Sequence, residues 1–201
     1  MAEHSLVVVI LAAGGSTRLG RPKQLLKVAG TTLIRKTSEL ALGLKVPVVV
    51  VLGAHEKLIR QQIQDLPLHM VMNPQWKQGM SSSLESGIKC ARQISPGLSG
   101  VLVLLVDQPL VHLDHLKELI NVAREESQAM VVTGYGQGRG VPAFIGSAHF
   151  EDIMTTSGDQ GARALFTQKG KFMREVSLTG GAVDIDTEED WQNYLKSQIG
   201  H

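Results

Sequence analysis

Apolar and polar positions along this chain follow two different periods. Short, mostly apolar runs rich in valine fall at 6–11, 47–52, 101–106 and 130–133, the last ending on Thr133, with a shorter one at 69–72 that opens on His69. Runs of that length with no polar interruption mark strands buried on both faces. Between them the apolar residues return every three or four positions. In 32–42 these are Leu33, Ile34, Leu40 and Ala41, and 56–64, 82–92 and 113–126 repeat the pattern with polar faces between. That period predicts amphipathic helices. Strands alternating with helices predict βαβ units and right-handed crossovers. The expected fold class is α/β, with a mostly parallel central sheet covered by helices on both faces.

Beyond residue 133 the pattern loosens. Gly134-Tyr-Gly-Gln-Gly-Arg-Gly140 reads as a flexible polar segment, 141–145 as a strand, 159–169 as a helix and 173–176 as a late strand. Residues 187–196 are expected to form a helix, with Thr187 as its N-cap. Glu188, Glu189 and Asp190 then occupy the first turn, where carboxylates meet the positive end of the helix dipole. No repeat or shift in composition divides the sequence, so 1–201 is expected to form a single domain.

Composition narrows the possible partners. The chain is 43% hydrophobic and 19% charged with a net charge of +1, an ordinary globular balance that argues against a broad basic face for nucleic acid. One cysteine, Cys90, excludes a disulfide framework and any cysteine-rich metal site. No leader pattern and no run of membrane-spanning length is present, so a cytoplasmic protein without membrane attachment is expected.

The candidate chemistry begins at Leu11-Ala-Ala-Gly-Gly-Ser-Thr-Arg-Leu-Gly-Arg-Pro-Lys23, directly after the first strand. Glycine-rich turns at the carboxyl end of such strands are where α/β folds hold phosphates. The spacing is neither that of a Walker loop nor that of a dinucleotide fingerprint. Gly14 and Gly15 let backbone amides approach a polyanion, and Arg18 and Lys23 add positive charge. Asp107 ends the most apolar strand, at the same sheet edge. A divalent cation bridging it to a triphosphate offsets the cost of a buried carboxylate there; a helix cap or structural ion pair is the alternative. In 73–84, Gly79 and three serines open a helix suited to a polar base edge or an anion, and Trp76 serves for stacking or for packing. Asp184 and Asp186 project to one side of an extended piece, where either completes a metal site with Asp107 or caps the last helix. Two arginine–glycine loops, around Arg139 and Arg163, are candidates to grip a second anionic substrate. His112 and His115 lack a third metal ligand nearby and read as structural.

Six blocks in order resemble the MobA-like nucleotidyltransferases, most closely the molybdenum cofactor cytidylyltransferase branch. They are Leu-Ala-Ala-Gly-x-Ser-x-Arg-x-Gly-x-x-Lys at 11–23, Asn73-Pro-x-Trp-x-x-Gly-Met-x-x-Ser83, Asp107-Gln-Pro109, Arg139-Gly-x-Pro142, Gly158-Asp-x-Gly-Ala-Arg163 and Asp184-Ile-Asp-Thr-x-Glu-Asp190. The resemblance implies a Rossmann-like three-layer α/β/α sandwich of the nucleotide-diphospho-sugar transferase type. It implies transfer of CMP from CTP to the terminal phosphate of molybdenum-molybdopterin, with release of pyrophosphate. A molybdenum hydroxylase apoenzyme is the implied recipient of the product. Leu11, Ala12, Ala13, Gly14, Gly15, Lys23, Asn73, Gly79, Met80 and Ser83 would hold the nucleotide. Arg18, Lys23 and Asp107 would act on the phosphates. Asp107, Asp186 and Asp184 would hold Mg2+, with Mn2+ as an alternative, and Arg139, Pro142, Asp159 and Arg163 would face the acceptor. Guanylyltransferases of the group usually carry glycine where Ala13 stands, which favours a pyrimidine. Gly15 and Thr17 replace residues often basic in relatives, and Leu19 a frequent methionine. A guanylyltransferase, an enzyme acting on a sugar phosphate, and a non-catalytic molybdopterin carrier are the competing readings.

Overall fold

The computed structural model describes residues 5–125, 130–136, 138–155, 173–178 and 183–199. The described elements run β1 (Ser5–Leu11), β2 (Lys27–Val28), β3 (Thr31–Thr32), α1 (Leu33–Leu42), β4 (Val48–Leu52), α2 (Glu56–Ile63), β5 (His69–Met72), α3 (Met80–Ile94), β6 (Leu98–Leu105), α4 (Leu113–Glu125), β7 (Met130–Gly134), β8 (Arg139–Gly146), α5 (Phe150–Thr155), β9 (Met173–Ser177) and α6 (Glu188–Ile199). Each apolar run of the sequence becomes a strand of one seven-stranded sheet in the order β5-β4-β1-β6-β8-β7-β9. β2 and β3 pair separately as a small antiparallel hairpin that the sequence pattern did not reveal.

The runs within β1, β4 and β6 are apolar because both faces of those strands are covered. Val8, Ile10, Val50, Leu52, Leu102 and Leu104 pack against α1, α2, α4 and α6, through residues such as Ile34, Ile59, Leu116 and Trp191. Their neighbours Val7, Val9, Val49, Val51, Val101 and Val103 pack on the other face, against Leu84 and Ile88 of α3 and Phe150 of α5. Alternate side chains of a strand point to opposite faces, so this Rossmann-like α/β/α sandwich leaves no polar position inside the central strands. Complete burial of a valine, leucine or isoleucine contributes about 1.5–3 kcal/mol. α3 lies very close to the sheet: a Cβ at Gly87 would come within 2.4 Å of Val9 Cγ1.

The last third departs from the expected pattern. The glycine-rich segment after residue 133 is a hairpin turn, in which Gly134 of β7 faces Arg139 of β8 and Tyr135 N donates to Gly138 O at 2.8 Å. β8 runs antiparallel to both β6 and β7, while the other pairs in the sheet are parallel. The helix expected at 159–169 lies outside the described residues. Thr187 does cap α6: its Oγ1 accepts from Asp190 N at 3.1 Å, and Asp190 Oδ2 accepts from Thr187 N at 2.8 Å. Among the described residues, no helix is long and apolar enough to cross a membrane.

Parallel pairing of β1, β4 and β6 puts the loops after them at one edge of the sheet. β8 is antiparallel, so its first residues reach that edge as well. The extended piece before α6 docks there, with Ile185 N donating to Asp107 O at 2.9 Å.

Candidate active site

A cleft of about 450 Å³ opens at this edge, lined by residues of the loop after β1, the start of α3, the end of β6 and the 184–186 segment. Its floor is the glycine loop. Among the described residues, the backbone amides from Ala13 to Arg18 make no hydrogen bond, whereas Ala12 N still donates to Val51 O at 2.9 Å. Donation into the sheet therefore ends at Ala12, although Ala13 O still accepts from Ala54 N at 3.0 Å, and among the described residues six consecutive amides are left for another acceptor. Amides held this way, without a side-chain competitor, bind anions. The chain can turn here because Ser16 and Gly20 take left-handed conformations, with φ of 52° and 74°.

Charge gathers at one end of the cleft. Lys23 Nζ donates to Asp107 Oδ2 and, at 3.0 Å, to Asp186 Oδ1. Arg18 Nη2 donates to Asp186 Oδ2 at 2.7 Å. Burial lowers the Lys23 pKa, but Asp107 and Asp186 outweigh it and hold the amine above its ordinary range. Burial pushes the Asp186 carboxyl up, but Lys23 and Arg18 hold it below the usual carboxylate range. Asp184 goes the other way: burial, and then the charge of Asp107, push its carboxyl up. It accepts from Gln108 Nε2 at 3.1 Å, and the same amide donates to Val141 O at 2.8 Å. Arg18 and Lys23, expected on phosphate, thus rest on carboxylates, because these are the anions nearest to them.

Among the described residues, no three carboxylate, imidazole or thiolate groups form a ready-made metal cluster. A divalent ion nevertheless fits. Asp107 Oδ1 is buried without a hydrogen-bond partner among the described residues, and Asp186 stands beside it on Lys23. Magnesium is satisfied by one or two carboxylates completed by phosphate oxygens.

The opposite wall is apolar and tightly built. Trp76 lies over the loop, and a Cβ at Gly15 would come within 3.2 Å of its ring. Gly53 leaves still less space: a Cβ there would sit 2.6 Å from Ala13 O and 2.8 Å from Trp76 Cβ. Trp76 therefore packs, with Lys77 Nζ 5.6 Å above its ring. Gly79, Met80 and Ser83 line the cleft at the start of α3.

The structure thus brings together Leu11, Ala13, Gly14, Gly15, Arg18, Lys23, Gly79, Met80, Ser83, Asp107, Asp184 and Asp186. It sets others apart. Ala12 is buried beneath the loop. Asn73 is buried behind α3, where its Nδ2 donates to Ser82 Oγ and Ser83 Oγ at 2.9 and 3.0 Å; its amide is spent on shaping that turn. Arg139 pairs with Glu175 of β9, and Pro142 is buried with its carbonyl accepting from Thr133 Oγ1 at 2.6 Å. Asp159 and Arg163 lie outside the described residues. Sequence reasoning missed Gln24 and Gln108. Both are buried glutamines whose partners are backbone carbonyls far along the chain or across a turn, and no local period marks such a role.

A family model described as a MobA-like NTP transferase domain matches residues 8–172. The purine catabolism protein PucB of Bacillus subtilis (strain 168) is 29% identical, over 95% of this chain and 96% of its own. The nicotine blue oxidoreductase of Paenarthrobacter nicotinovorans is 32% identical, over 93% of this chain and 95% of its own. Among solved structures, Rv0371c of Mycobacterium tuberculosis H37Rv aligns with a TM-score of 0.85 at 28% identity, covering 98% of this chain and 100% of that one. A manganese complex of Rv0371C aligns with a TM-score of 0.81 at 26% identity, covering 96% and 99%. The chain belongs to the MobA-like NTP transferase family and is a nucleotidyltransferase.

Proposed function

We propose that this nucleotidyltransferase moves CMP from CTP to the terminal phosphate of a molybdopterin-type acceptor carrying molybdenum. The observation that carries the reading is one cleft holding two complementary halves: the unbonded amides of 13–18, and the Asp107–Lys23–Asp186–Arg18 contact beside them. The amides suit a triphosphate. Both cations already lie within reach of it, and a polyanion draws them from the carboxylates. A divalent cation, Mg2+ or Mn2+, on Asp107 and Asp186 would supply neutralisation of charge on the phosphates. An oxygen of the acceptor phosphate attacks the α-phosphorus, the bond to the α–β bridging oxygen breaks, and pyrophosphate leaves with the electron pair. An ionised phosphate is already a nucleophile, so in-line placement and charge neutralisation are what the protein has to provide.

Ala13 supports a pyrimidine. Ala13 lines the cleft, and it adds to the loop a methyl group that a glycine there would lack. Arg139 stands at the same sheet edge, paired with Glu175, and with Arg163 of the later block it is the cation that would grip an anionic acceptor. Pyrophosphate release measured with each common nucleoside triphosphate, with and without the molybdopterin acceptor, tests the reading. Release with CTP that depends on the acceptor is expected. Release with GTP in preference, or with a sugar phosphate in place of the pterin, overturns it. No release with any nucleotide and either acceptor favours a carrier.

A further inference from the structure

Gln24 stands directly after Lys23 and is 1% exposed, on a loop whose other polar side chains reach solvent or the cleft. Both hydrogens of its Nε2 are used on backbone carbonyls, Ala12 O at 3.0 Å and Gly14 O at 2.9 Å. Its Oε1 accepts from Ser16 Oγ at 3.4 Å, and Ser16 Oγ accepts in turn from Lys23 N at 3.1 Å. One side chain thus ties the first part of the loop to its last part. The carbonyl and the amide of a trans peptide point in opposite directions. Drawing the carbonyls of Ala12 and Gly14 to Gln24 therefore turns the amides of Ala13 and Gly15 away from it. Those two amides belong to the run that makes no hydrogen bond among the described residues, and both residues line the cleft.

We propose that Gln24 is the positioning residue of the phosphate site: it presets the peptide planes at Ala12–Ala13 and Gly14–Gly15 so that their amides are available to the triphosphate. The inference rests on the reading of the cleft as a nucleoside triphosphate site. Without Gln24 the two carbonyls lose their partners, and among the described residues neither peptide keeps a hydrogen bond of its own. The cost of ordering them then falls on ligand binding instead of on folding. Glutamate is no substitute, because a carboxylate facing two carbonyls repels them.

The test compares Gln24→Met and Gln24→Glu with the unmodified chain by calorimetric binding of CTP, CMP and inorganic triphosphate, all with magnesium. Loss of two neutral hydrogen bonds in the preset loop is expected to weaken CTP and inorganic triphosphate by about tenfold or more. CMP, which lacks the outer phosphates, should change by less than about twofold. A merely structural role would weaken all three ligands together, and that result overturns the proposal, as does unchanged binding of CTP. Should neither variant fold, the unmodified chain still decides. Inorganic triphosphate should shift the amide resonances of Ala13 and Gly15, and undisturbed resonances overturn the proposal. The unmodified chain also separates the two readings. Binding of inorganic triphosphate with no preference for CTP removes the CTP assignment and leaves the role of Gln24 intact. Binding of CTP with no effect of Gln24 substitution does the reverse.

Discussion

Replacing Lys23 by methionine keeps the length of the side chain and removes its charge. The ammonium sits between Asp107 and Asp186, whose side chains keep 10% and 29% of their exposure while its own keeps 18%. Stripping one partner from a fully buried pair costs about 3–5 kcal/mol, while an exposed pair contributes less than about 1 kcal/mol. This site lies between the two limits, so Lys23→Met should lose about 2 kcal/mol at neutral pH. The pH dependence follows from the two shifts. Asp186 is held below its ordinary value of 3.8, so its share of the stability is present above that pH and disappears as pH falls through the folded value. Lys23 is held above its ordinary 10.5, so its share is present below that pH and is lost as pH rises through the folded value. The deficit of the variant should therefore be flat through the neutral range and shrink at both ends. Urea unfolding of both chains at a series of pH values measures it. A divalent cation should also stabilise the variant more than the parent, because its competitor for the two carboxylates is gone. A variant as stable as the parent at neutral pH would show that desolvation of the three groups cancels their attraction, and a deficit unchanged in acid would show that it does not arise from the pairing with Asp186.

Asp107→Asn should abolish acceptor-dependent pyrophosphate release while leaving the far-ultraviolet circular dichroism unchanged; normal release with magnesium present would refute its role. Gly53→Ala pushes a methyl group into Ala13 O, Ala13 Cβ and Trp76 Cβ at 2.6–2.8 Å. Overpacking of a methyl group against these atoms should cost about 1–3 kcal/mol and lower the melting temperature, with CTP binding weakened through the displaced loop. His115 is buried on α4 against Thr133, and burial, then the nearby His112, lowers its pKa to about 4 from an ordinary 6.5. The unfolded chain therefore takes up a proton that the folded chain refuses between those values, and the protein should lose up to about 3 kcal/mol of stability on acidification across that window. His115→Gln should flatten this slope in urea titrations, and parallel slopes would refute the assignment.

Local order along the chain determined the strands, the helices and the loops that carry chemistry. Short valine-rich apolar runs predict strands covered on both faces, and those within β1, β4 and β6 are such strands, while β7 is buried along its length and carries Thr133, hydrogen-bonded to Pro142 O. The glycine pair after β1, Asp107 after the most apolar strand and the Thr187 cap are each stated by neighbouring residues, and each lies where those neighbours imply. Which strand sits beside which was another matter. β8 reads as a plain apolar strand, and only its hairpin with β7 turns it antiparallel beside β6. The charge pairing was equally hidden. Lys23 meets Asp107 across 84 positions of sequence and Asp186 across 163, and Arg139 is taken up by Glu175. Gln24, one residue from a lysine that the motif marks, gave no sign of the two carbonyls it holds. The physical reason is range. Periodicity and capping depend on residues a turn or less apart, whereas the partner of a charge or a buried amide depends on which loops the finished sheet brings to one edge.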